Sequence, residues 1–159
     1  MTEEMRTLVW NEKFFADMRQ RYFGHLAARY RTLDNAIHIG LLVLSGATFS
    51  SASDVLLPQH TAILALLAAA LAATATVMRL SDRSSSFTEF SVDWGKLHDE
   101  YTLLWNDLGS GSVESSTVRR RVQELKNRAE IVDRRSTAYG THRKLLLACH
   151  REAVEATAR

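Results

Sequence analysis

One cysteine, one proline and seven glycines in 159 residues set the first limits. With Cys149 alone, no intrachain disulfide can form, which suits a reducing compartment, and a cysteine-based zinc site is not expected. So few prolines and glycines supply too few turn formers for an all-β chain. A surplus of one charge is lacking too. Twenty Lys+Arg stand against 18 Asp+Glu, a formal +2 with six neutral histidines. That balance argues against a dedicated nucleic-acid binder. No secretory signal is legible, because the first apolar run follows about 35 highly charged residues instead of lying close to the N-terminus.

Charge is missing most completely in one place. Between 36 and 78 the only charged residue is Asp54, whereas nearly a third of the other positions are charged. A polar chain surrounds one apolar block, and the block divides in two. Nineteen uncharged residues, NAIHIGLLVLSGATFSSAS, lie between Asp34 and Asp54, and 24 lie between Asp54 and Arg79. The most continuous part is TAILALLAAALAATATVM, 61–78. As helices these runs are about 28 and 27 Å long, close to the roughly 30 Å hydrocarbon core of a bilayer. Pro58, with Asp54, Gln59 and His60, suits a tight polar turn between them.

The expected fold is therefore all-α: a membrane protein with a two-helix transmembrane hairpin and a cytoplasmic helical bundle or coiled-coil-like hairpin. The boundaries are a cytoplasmic amphipathic helix at 1–35, spans at 36–54 and 61–79, an external turn at 55–60, and a helical hairpin and tail at 80–159. Arg19, Arg21, Arg29 and Arg31 precede the first span, Arg79 and Arg83 follow the second, and the turn has no Lys or Arg. By the positive-inside rule both termini are cytoplasmic and the turn faces the other side. A competing arrangement is an Ala-rich hairpin buried in a soluble bundle. It draws force from His38, Gly40, Ser45, Gly46, Thr48, Ser50, Ser51 and Ser53, which weaken insertion of the first span.

The polar segments carry helical periodicity. Phe15, Met18, Tyr22, Leu26, Tyr30 and Leu33 make one stripe, and no Gly-Pro break separates their helix from the first span. Phe87, Phe90, Trp94, Leu97, Tyr101, Leu104 and Leu108 alternate by three and four, a coiled-coil-like seam rich in aromatics. Gly109-Ser110-Gly111-Ser112 is expected to end that helix, with Ser112 capping the next. The next runs over about 113–135 with Val118, Val122, Leu125, Ala129 and Val132 at heptad spacing. A helical tail at 137–156 carries Tyr139, Leu146, Cys149 and Val154.

Chemistry is scarce. His98-Asp99-Glu100 lacks the His-Glu-x-x-His spacing of a zinc helix, and the GSGS turn has no Gly-Lys-Ser/Thr behind it. His142 and His150 are eight apart without a supporting acidic ligand. No enzyme, metal or cofactor is expected. Two features carry weight for function. Arg119, Arg120 and Arg121 open a helix and can meet an anion, a nucleotide or lipid headgroups, although a solvated helix face explains them better. Ala65, Ala69 and Ala73 make a small-xxx-small row, as do Ala68, Ala72 and Thr76, and Gly46 with Ser50 does so on the first span. Such rows favour close helix approach, within one hairpin or between subunits.

A basic helix with RQRYFGHLAARYRTLDNA, two closely spaced spans, then FTEFSVDWGKLHDEYTLLWNDL and VRRRVQELKNRAEIVDRRS resemble the SLATT domain over roughly 10–156. That family comprises two-transmembrane effectors associated with nucleotide-second-messenger synthases and nucleotide sensors in prokaryotic conflict systems. The resemblance implies a pore-forming effector that kills or arrests an infected cell. It also implies a homo-oligomer in the lipid bilayer, triggered by a cyclic nucleotide or a nucleotide-signalling partner protein. It transfers no catalytic or ligand residue. A pore needs several subunits, since one hairpin cannot enclose water. His38, Ser45 and Thr48 fall within about 80° on one helix face and are its candidate lining. The alternative is a membrane-anchored helical scaffold or regulatory subunit without a pore.

Overall fold

The computed structural model describes residues 3–51, 58–110 and 114–157, with side chains over 3–46, 62–110 and 114–157. Five α-helices and no strand occur among them: α1 (Glu3–Ser51), α2 (Pro58–Met78), α3 (Leu80–Ser110), α4 (Ser115–Thr137) and α5 (Arg143–Thr157). α1 runs 49 residues without interruption. Its sequence offers neither proline nor a paired glycine to break the hydrogen-bond ladder. Pro58 opens α2, the position where a missing backbone N–H leaves nothing unsatisfied. The expected turn at 55–60 falls partly on residues 52–57, which lie outside the described ones.

Two compact units divide the chain: 1–25 with 87–159, and 26–86. In the first, α1 is gripped by three helices. α3 reaches it through the Ser91 hydroxyl, which donates to the Gln20 carbonyl at 3.0 Å. Gly95 keeps the same approach close, since a Cβ there would meet the end of the Gln20 side chain, Nε2, at 3.0 Å and push it by a few tenths of an ångström. α4 adds the ion pairs Arg19–Asp133 and Lys126–Glu12, each 2.9 Å. α5 sets His150 edge-on against Phe14, ring centroids 5.3 Å apart.

All seven seam residues of α3, from Phe87 to Leu108, are at most 3% exposed. Val118, Val122, Leu125 and Val132 of α4 are buried as well. Each such side chain contributes roughly 1.5–3 kcal/mol by leaving water. The stripe expected on α1 is only partly the buried one. Met18, Tyr22 and Leu26 are buried, but Phe15 is 39% and Leu33 44% exposed, while Val9, Ala16 and Phe23 are buried instead. A helix covered from three sides in the bundle buries more than one stripe, so a single 3.6-residue periodicity does not name its core.

Three expectations for the connections change. Gly109 and Ser110 continue α3, and the N-cap of α4 is Glu114, extended and without a side-chain cap bond. The cap expected of Ser112 is thus not the one used; Ser112 itself lies outside the described residues. The tail is not continuous from 137. α4 extends to Thr137, a turn follows through Gly140 at φ +71°, and α5 begins at Arg143. Tyr139 sits in that turn, 5.2 Å from the Phe87 ring and 5.7 Å from that of Phe90.

The second unit holds the later part of α1, all of α2 and the first turns of α3. α2 and α3 part at Arg79, which adopts φ +45°. For a side chain with a Cβ that left-handed conformation costs roughly 1–2 kcal/mol. Beyond it Leu80 is buried, and the Ser84 hydroxyl donates to the Ala27 carbonyl at 3.2 Å.

Candidate functional site

Among the described residues, one helical run, beginning at Ala62, is long and apolar enough to cross a membrane. Its most apolar 18 residues have mean hydropathy 2.0, and only 6% of them are buried. The reason is composition: Leu, Ile and Ala fill α2 almost without polar interruption. The expected first span, 36–54, lies only partly within the described residues.

Exposure in this unit is apolar on several faces. Leu42 is 71%, Leu66 72% and Val77 82% exposed. Half-buried positions on α2 are Leu64, Ala68, Leu71 and Ala75, recurring every three or four residues along one face. Gly40 lies opposite that face, 3.7 Å from Leu71 Cδ1 if given a Cβ. Ala65, Ala69 and Ala73 are exposed on the remainder of α2, and a Cβ at Gly46 would meet nothing within 4 Å among the described residues. The side chains of Thr48 and Ser50 lie outside the described residues.

His38 and Ser45 are exposed, and each engages its own helix. His38 Nδ1 lies 2.8 Å from the Asp34 carbonyl oxygen, and the Ser45 hydroxyl donates to the Leu42 carbonyl at 2.9 Å. Such bonds to the preceding turn satisfy polar groups within the helix that carries them.

The arginine triad disperses. Arg121 pairs with Asp107 of α3 at 3.4 Å, and Arg120 reaches Glu124 of its own helix at 4.0 Å. Arg119 lines a cleft of about 230 Å³ with Glu4, Met5, Gln123 and Lys126. Because Glu4 lines the same cleft, and Lys126 already pairs with Glu12, the field there is mixed rather than anion-selective.

The bundle also gathers three metal-ligating side chains that the sequence reading did not connect. His25 of α1 and Cys149 and Glu152 of α5 bring a ligand atom each to within 4.8 Å of one another. His25 Nε2 lies 3.2 Å from Glu152 Oε2, across 127 residues of chain. Cys149 is fully buried. Burial, and then the Glu152 carboxylate, push its thiol above the ordinary range. The Cys149-x-x-Glu152 spacing was visible in the sequence; nothing local marks His25. His142 and His150 join no such group among the described residues. The His142 backbone N–H donates to the Tyr22 hydroxyl at 2.9 Å, and His150 packs on Phe14.

Comparison of the chain with protein-family models, curated proteins and solved structures finds no match.

Proposed function

We propose that this chain is a two-span membrane effector of the SLATT kind, acting in prokaryotic antiphage defence. Its subunits gather through the cytoplasmic bundle and open a pore when a nucleotide signal or a partner protein changes their assembly. The observation that carries the membrane part is the apolar run from Ala62, of which only 6% is buried. Surface of that extent is stable in lipid and not in water. The assembly part rests on the resemblance and on the exposed row Ala65, Ala69, Ala73, which permits close approach of a second helix. In this reading 36–54 is the first span, both termini are cytoplasmic, and cell death or arrest follows loss of the membrane potential.

A second reading has an observation of its own. His38 and Ser45 bond to their own helix backbone, so neither demands a water-filled lumen. That favours a membrane-anchored scaffold or regulatory subunit without a pore. Purified full-length protein reconstituted in liposomes separates the two. Release of an entrapped dye at micromolar protein supports the pore; insertion without release supports the scaffold. Absence of insertion removes both. Orientation is checked with Gln59→Cys, which should react with an impermeant thiol reagent in intact spheroplasts while Cys149 reacts only after lysis.

A further inference from the structure

Cys149 and Glu152 are one helical turn apart, so both project from one face of α5. His25 faces them from α1 and already meets Glu152 at 3.2 Å. The burial is graded. Cys149 is fully enclosed, whereas the His25 and Glu152 side chains are 48% and 44% exposed. A sulfur at the floor with a nitrogen and an oxygen at the rim form a cup open to solvent.

We propose that His25, Cys149 and Glu152 bind one Zn²⁺, with solvent completing the tetrahedron, and thereby fasten α5 to α1. The donor set selects the ion. A thiolate with an imidazole suits a borderline-soft cation and disfavours Mg²⁺ and Ca²⁺, which take oxygen ligands. Three protein ligands and one open position are a common zinc arrangement. The span also fits. Zinc–ligand bonds of about 2.0–2.3 Å put tetrahedral donors about 3.5 Å apart. A set within 4.8 Å must therefore close by about 1 Å, which rotation of the two rim side chains supplies. Binding displaces the thiol proton to solvent and replaces the direct His25–Glu152 contact with two metal bonds. Arg21, whose charge reaches the Cys149 thiol, donates from Nε to both carboxylate oxygens of Asp17 at 3.0 Å, which offsets its repulsion of a cation.

The test uses the full chain in detergent micelles, stripped with a chelator and titrated with Co²⁺ and Zn²⁺. One Co²⁺ per chain should bind, with a thiolate-to-cobalt charge-transfer band in the near ultraviolet. Cys149→Ala should abolish that band. Because this change touches a fully buried site, His25→Gln and Glu152→Gln provide variants at half-exposed positions. Both should retain the metal-free melting temperature yet bind at least about tenfold more weakly, and Zn²⁺ should raise the melting temperature of the wild type alone. No charge-transfer band at one equivalent, or equal Co²⁺ affinity in the wild type and both rim variants, overturns the proposal. In that case His25–Glu152 is a plain surface ion pair above a buried cysteine.

Discussion

The two units solve the same problem in opposite ways. In residues 1–25 with 87–159, the apolar side chains turn inward. Trp94, Leu97, Tyr101 and Leu104 are at most 2% exposed, and charged residues occupy the outside in pairs such as Arg128–Glu100 at 2.7 Å. In residues 26–86 some apolar side chains, Leu26, Ile37 and Leu80 among them, are buried, but others turn outward, with Leu42, Leu66 and Val77 all more than 70% exposed. Helical propensity does not distinguish the units, since both are helical throughout most of their described residues. What distinguishes them is the number of apolar faces. One seam per helix can be closed by partner helices, whereas a helix apolar all round needs an apolar solvent.

Breaking the inward half should have the largest effect. Leu97→Asp places a carboxylate among buried aromatics without a cation, and should destabilise the bundle by several kcal/mol. Denaturant titration of the full chain in micelles would measure the loss. Membrane extraction should stay unchanged, because the apolar run from Ala62 is untouched. If the pore reading holds, cells expressing this variant at wild-type membrane abundance should keep their membrane potential.

The complementary change is Leu66→Arg. A charge costs about 3 kcal/mol of insertion at the centre of a span and less toward the end where Leu66 lies, so the variant should shift toward the soluble fraction on cell fractionation. The bundle should melt as before. If this region instead faced water, a charge at a position 72% exposed would leave the distribution between fractions unchanged. That outcome would end the membrane reading.

Smaller effects sharpen the comparison within the bundle. Gly140 sits at φ +71° in the turn between α4 and α5. Any Cβ is strained there, and Gly140→Ala should cost about 1 kcal/mol in thermal unfolding, with no effect on fractionation. Tyr101 is subtler. Its hydroxyl is buried with no hydrogen-bond partner among the described residues, and burial, then Glu12, push its phenol well above the ordinary range. Tyr101→Phe should therefore be neutral or stabilise by up to about 1 kcal/mol. The folded chain keeps a proton that the unfolded chain releases above pH of about 10. The stability tied to this proton is complete below that pH and falls as pH rises through it. Stability curves of wild type and Tyr101→Phe should diverge only on that alkaline limb.

The α3 seam was legible because its side chains alternate strictly by three and four, and each position is closed by a partner. The α1 stripe was less so: Ala16 and Phe23 are buried where Phe15 is half-exposed, since three helices share its surface. The end of the apolar run at Arg79 was legible from its charge, but the left-handed turn there was not. No glycine or proline marks it, and an arginine in the left-handed region is held there by its surroundings.

Charge distribution and hydropathy alone, then, determined that the chain is helical, that one run from the early sixties is apolar enough for a membrane, and that 87–108 forms a buried seam. These follow from local spacing, which a single helix expresses by itself. Tertiary structure decided which residues meet across distance. The convergence of His25 with Cys149 and Glu152, the clasp of Gln20 by Ser91 and Gly95, and the separate fates of Arg119, Arg120 and Arg121 depend on how helices cross. Crossing is set by packing of side chains from several segments at once, and no one segment's sequence contains it.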